Sequence, residues 1–270
     1  MKREKHGQAL ADPFAGADPE EVPLPRAPLV SVVSQVRFLS PELSIENPAE
    51  VAPLQAAVRE QYPRLEEERV QPFPAGRATG APATIWRFVD DTGSWRAAVA
   101  RKFVALDTSA YDRRRHFLER LHGLLRAVEE TIGPRDVERV GLRYIDRLEA
   151  SALEQISGFI RPELLGLLAG PLGGRVTRGL AEAELSVEGD DWRLRARWGV
   201  LPANATIDPA LVDPLDRPSW ILDIDAFHTG RQPFAAEGLA RVSEKLAGMA
   251  YRFFRWVVTD RFLEYCGGQP

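Results

Sequence analysis

The sequence predicts an α+β protein of two pseudo-repeats, each running strand, helix, three strands, helix, with antiparallel sheets and helices packed on one face. Three observations predict it. The phrase LDTSAY at 106–111 returns as LDIDAF at 222–227. After Gly133-Pro134 the order of strand-like and helix-like segments starts again. The strand-like segments are joined by short turns, which suit antiparallel pairing. The echoes keep one order: Phe38 with Tyr144, Trp95 with Trp192, Leu106 with Leu222.

Residues 1–26 hold scattered Pro, Ala and acid without periodicity and are expected to form a disordered leader. The first repeat spans 27–135 and opens with the β-rich PLVSVVSQVRF at 28–38. A helix follows, with Asn47 as cap, Pro48 in its first position and Glu50 three after the cap. Val51, Leu54, Val58 and Tyr62 carry its apolar spacing, and Pro63 ends it. ATIWRFVD (83–90) and SWRAAVA (94–100) make a hairpin around Gly93. The strand KFVALDT (102–108) leads to a helix over about 112–132, with Phe117, Leu121, Leu124 and Val128 on its buried stripe.

The second repeat spans 136–270. It has a strand at DVERVGLRYID (136–146), a helix over 151–168, and a hairpin turning at Gly189. In that hairpin Leu194 should face Leu185 and Trp192 face Val187. Arg195 should meet Glu184, and Arg197 meet Glu182, as a cross-strand charge ladder. Residues 202–218 are an insertion. SWILDIDAF (219–227) precedes a long closing helix from about 234 to 265. Within the twin phrase, Leu106 and Leu222 should point inward, with Asp107 and Asp223 on the opposite face. Tyr111 and Phe227 should clamp the corner from strand to helix.

The 270 residues are 44% hydrophobic and 27% charged, with a net charge of −4. Such a chain can bury a real core without disulfides or metal. The acidic balance argues against a protein built mainly to grip phosphate backbones, so nucleic acid is not the favoured partner. The lone Cys266 cannot form an internal disulfide. The start lacks the apolar core of a signal peptide, and FFRWVV at 253–258 is broken by Arg255. A cytoplasmic protein with no membrane span and no cofactor is expected.

PLVSVVSQVRF, FVALDTSAY and VGLRYID together resemble a sporadically distributed family of bacterial proteins of similar length. The resemblance covers most of residues 26–265, including the closing aromatic helix. It supplies no activity, cofactor or catalytic residue. Its patchy distribution implies horizontally moved gene clusters, such as defence or toxin-related systems. By element order alone the fold is similar to the duplicated saddle of TATA-box-binding proteins and to the helix-grip folds, and fold does not fix function.

Several constellations carry possible chemistry. Asp223 and Asp225 form D-x-D on one strand face, with His228 just beyond; such a set could hold a divalent metal. Arg37 and Arg143 lie on matching strands, so each half is expected to hold an Arg–Asp pair with Asp107 or Asp223. Arg143, Tyr144 and Asp146 could line a cleft, although strand alternation turns Arg143 away from Tyr144. Arg113, Arg114 and Arg115 open a helix against its dipole and could meet an acidic partner or a phosphate. On the closing helix, Phe253 and Trp256 belong to an apolar surface that is either buried or docked on a partner.

These readings converge on a non-catalytic binding or assembly protein of a bacterial multi-gene system, engaging another protein or a second copy. The alternatives are a metal-assisted hydrolase or nuclease using Asp223, Asp225 and His228, and a groove that binds nucleic acid or a small ligand across the sheet.

Overall fold

The computed structural model describes residues 12–16, 19–70 and 83–270. Among them nine strands form one antiparallel sheet. The strands are β1 (Leu29–Phe38), β2 (Arg64–Val70), β3 (Ala83–Val89), β4 (Trp95–Ala100), β5 (Phe103–Thr108), β6 (Asp136–Glu149), β7 (Gly179–Glu188), β8 (Trp192–Leu201) and β9 (Ser219–Pro233). Their order is β2-β3-β4-β5-β1-β6-β9-β8-β7. β1 and β6 are therefore neighbours near the middle. Outward from β1 lie β5, β4, β3 and β2; outward from β6 lie β9, β8 and β7.

The helices are α1 (Pro48–Val58), α2 (Arg114–Thr131), α3 (Ala150–Glu154), α4 (Ile156–Phe159), α5 (Pro162–Leu165), α6 (Ala236–Val257) and α7 (Asp260–Tyr265). α1 starts as the sequence requires: Asn47 accepts from the Ala49 N–H, and Pro48 fills the first position, where no donor is needed. α2 and α6 pack on each other, and α6 lies along β6 and β9. Alternate strand residues, among them Val32, Leu106, Leu142 and Leu222, join Leu121, Leu125, Leu246 and Phe253 in one core. Each such large side chain contributes roughly 1.5–3 kcal/mol when withdrawn from water. A smaller cluster of Ile145, Leu201, Val212 and Ile221 sits beneath the 202–218 segment. Among the described residues no helix is long and apolar enough to cross a membrane.

Several elements depart from expectation. The first half carries an additional strand, β2, whose RLEEERV sequence has no apolar alternation. It is the outermost strand beside β3, where charge keeps an open edge from recruiting another chain. The expected helix over 151–168 is broken into α3, α4 and α5 with two 3₁₀ turns after them. Pro162 lacks the N–H that a continuous helix needs, and Gly166 adopts φ +52°. The closing helix stops at Val257. Val258 is extended and bridges Ile160, and Thr259 then caps α7 by accepting from Phe262 N–H.

β9 continues to Pro233, so Phe227 lies mid-strand rather than at a corner. In the β7–β8 hairpin the expected pairs Leu185–Leu194, Glu184–Arg195 and Glu182–Arg197 form. A register shift after Ser186 places Trp192 opposite Glu188, not Val187. Gly199 shows how closely this hairpin packs. Its φ is +139°, and a Cβ there would stand 1.9 Å from the Gly179 carbonyl oxygen.

The expected leader divides. Residues 1–11 and 17–18 lie outside the described residues. Residues 19–26 run beside α6: the Val22 N–H donates to the Tyr251 hydroxyl (2.8 Å), which donates to Glu20 O (3.0 Å). The Arg26 N–H reaches Cys266 O at 3.0 Å. Two apolar side chains, Val22 and Leu24, supply the contact that a solvated leader would lack.

Candidate functional site

Strand alternation sorts the expected site residues onto two faces. Asp107 and Asp223 do stand opposite in facing to the fully buried Leu106 and Leu222. Asp223 accepts from Arg143 Nε at 2.7 Å and from Arg197 Nη2 at 2.6 Å. Arg143 also reaches Asp208, from the 202–218 segment, at 2.8 Å. Asp225 pairs with Arg139 at 2.8 Å; burial nevertheless raises its pKa, with the arginine pulling the other way. The Arg143–Asp223 pair was expected. Its counterpart differs: Asp107 pairs with Arg96 at 2.7 Å, because Arg37 lies opposite Phe103 in the β1–β5 register.

This lattice leaves the expected metal set apart. His228 is three residues beyond Asp225 and therefore points to the other face. Its ring lies 4.5 Å from that of Trp192, which Lys245 of α6 covers at 3.9 Å. Burial lowers the His228 pKa. Asp223 and Asp225 already serve arginines. Among the described residues no group of three or more His, Cys, Asp or Glu side chains could hold a metal ion.

The basic cluster also separates. Arg113 extends into solvent beside Asp112, and Arg115 pairs with Glu119 along α2. Arg114 is the member with a structural task. It pairs with Glu21 at 2.8 Å and lies 5.2 Å above the Tyr251 ring, tying 19–26 to α2 and α6. Phe253 is 5% exposed and belongs to the core. Trp256 is half-buried, with the Arg161 guanidinium 5.7 Å from its ring.

Beneath α6 a cavity of about 220 Å³ opens between the sheet, the helix and the 21–29 segment. Ala247 and Ala250 form its helical wall; their small side chains leave the space. Leu24, Ala27, Leu29, Ile224 and Phe254 make it apolar. Tyr111, Tyr144 and Asp146 line it on the sheet side, and Glu21, Asp112, Arg113, Arg114 and Tyr251 line it beside the 21–29 segment and α6. Alternation brings Tyr144 and Asp146 to the same strand face and sends Arg143 to the other, as the sequence implies. Tyr111 and Tyr144 meet edge to face, with ring centroids 5.8 Å apart. Burial pushes the Tyr111 hydroxyl up to about 12 and that of Tyr144 well above its usual value, so both remain neutral donors.

Asp146 is 7% exposed. It stands in register between Leu29 of β1 and Leu222 of β9. Among the described residues its carboxyl has neither a hydrogen-bond nor an ion-pair partner, and burial alone pushes its pKa up to about 7. The cavity can thus surround an apolar body and offer it, on the sheet side, one unpartnered carboxyl and two phenols, while the charged groups by the 21–29 segment pair with one another. Asp146 carried a sequence signal, as the carboxyl beside Tyr144 on an apolar strand face. Tyr111 carried less, because its approach to Tyr144 depends on two strands that β1 separates. No protein-family model matches the chain, and no curated protein sequence matches it either.

Proposed function

We propose that the chain is a non-catalytic binding protein whose cavity beneath α6 receives a small, largely apolar molecule. One observation carries the reading: an apolar chamber at a seam of sheet, long helix and N-terminal segment, with a few convergent polar groups. Binding sites commonly have this composition. The hydrolase alternative loses its support, since Asp223 and Asp225 are held in ion pairs and His228 faces away.

The scaffold is best read as two pseudo-repeats meeting at β1 and β6, with helices on one sheet face. The outward strand order supports this, as does the shared core of strands with α2 and α6. Arg96 pairs in register with Asp107 as Arg197 does with Asp223. The twin leucines then set the correspondence of the first strands. Leu106 lies opposite Ser34 and Leu222 opposite Asp146, so Ser34 matches Asp146. That offset is 146 − 34 = 112 residues, six more than the 106 separating Phe38 from Tyr144.

The test is calorimetric titration of the protein with indole, beside Ala250→Leu and Ala247→Val, which narrow the cavity. Saturable one-site binding, weakened in both variants while thermal unfolding stays cooperative, is the expected result. Absence of binding, or binding undiminished by both variants, overturns the reading.

A further inference from the structure

We propose that the cavity selects an apolar amine, its ammonium group held by the Asp146 carboxylate and its hydrocarbon body lying against Ile224, Ala250 and Phe254. This deepens the reading of the cavity as a ligand chamber and rests on it. The argument begins with an unbalanced group. A carboxyl withdrawn from water beside two leucines is costly unless a partner compensates it. Asp146 is more than nine-tenths buried, lines the cavity, and has no such partner among the described residues.

The cations that line or adjoin the chamber have partners of their own: Arg113, on the lining, pairs with Asp112 at 3.2 Å, and Arg114, also on the lining, has two. Arg114 serves Glu21 and the Tyr251 ring. Arg26 donates to Tyr265 O at 2.6 Å. Arg147, the next residue on the strand, faces away and donates to Asp213 O at 2.8 Å. A hydrophobic residue at 146 would have satisfied the core at no electrostatic cost. The matching position on β1 shows an internally satisfied alternative: the Ser34 hydroxyl donates to Gly141 O at 3.2 Å.

The remaining surroundings suit an amine. An ammonium group has donors and no acceptor, which complements a carboxylate. The Tyr111 and Tyr144 hydroxyls can also accept, and their aromatic rings favour a nearby cation. A volume of about 220 Å³ admits one ring with a short chain.

The experiment compares three probes of similar shape by calorimetry: 2-phenylethylamine, 2-phenylethanol and ethylbenzene. Each is titrated into the wild type and Asp146→Asn at neutral pH. We expect the amine to bind the wild type at least about tenfold more tightly than the alcohol, since charge-assisted bonds exceed neutral ones. Asp146→Asn should erase that margin and keep binding of ethylbenzene. Equal binding of all three, or tightest binding of the alcohol or ethylbenzene, overturns the amine assignment and leaves the chamber standing. An amine preference that persists in Asp146→Asn also overturns it. Failure of all three to bind overturns the assignment and the chamber together.

Discussion

Asp146 contributes to stability with a definite sign. Its pKa is about 7 in the folded protein, above the ordinary 3.8 of an unfolded aspartate. The folded state therefore binds the proton more tightly. The contribution is fully present below pH 3.8 and is lost as pH rises through about 7. The loss is roughly 1.4 kcal/mol for each pH unit between the two values. Asp146→Asn should raise the unfolding free energy at pH 8 and leave it nearly unchanged at pH 4, as urea denaturation at the two pH values would show. Asp223 predicts the opposite behaviour toward substitution. It is 2% exposed and neutralises both Arg143 and Arg197. Asp223→Ala removes their shared buried partner, leaving Arg143 only Asp208 and Arg197 only the more distant Glu182, and should cost about 3 kcal/mol. Glu184→Ala breaks exposed pairs with Arg193 and Arg195 and should cost about 1 kcal/mol or less. Chemical denaturation of the two variants separates these outcomes.

At the scale of elements, α6 does two jobs. Leu239, Leu246, Phe253 and Val257 anchor it in the core, while Ala247 and Ala250 hold the chamber open. Leu246→Ala should therefore cost about 2–5 kcal/mol, measured by thermal or urea unfolding. The 19–26 segment is held differently, through Tyr251, Arg114 and a few apolar contacts. Tyr251→Phe removes its contact with the Val22 N–H and Glu20 O. Hydrogen exchange over 19–27 should accelerate, while global stability changes by about 1 kcal/mol. Unchanged exchange would show that the hydroxyl does not retain the segment.

At the scale of the whole molecule, β1 and β6 join the two halves along a register running from Leu29–Asp146 to Phe38–Val137. α2 from the first half packs on α6 from the second. Cutting between the halves would expose the β1 edge and strip the core from one side. A fragment of residues 19–135 should therefore fail to give a monomeric, cooperatively unfolding species. Sedimentation and circular dichroism would show aggregation or disorder instead. The chamber depends on this union as well, since Tyr111 comes from the first half and Tyr144, Asp146 and α6 from the second.

Local chemistry made much of the fold legible. Asn47-Pro48 starts α1 because the cap and the missing N–H act within one turn. Glu184–Arg195 and Glu182–Arg197 followed from the hairpin turn and a period of two. Alternation likewise separated Arg143 from Tyr144 and Leu222 from Asp223. By itself the sequence thus determined element type and the facing of side chains along a strand, since both depend on near neighbours. It did not reveal β2, whose charged RLEEERV pairs only because β3 is beside it. Nor did it reveal the break at Val258, where Ile160 claims the backbone. The partner of Asp107 depended on register, which gave it Arg96 instead of Arg37. Only the tertiary structure placed Tyr111 beside Tyr144, laid α6 over Asp146 and left space between them. Those are contacts between residues distant in sequence, and their geometry comes from the packing of sheet and helix together.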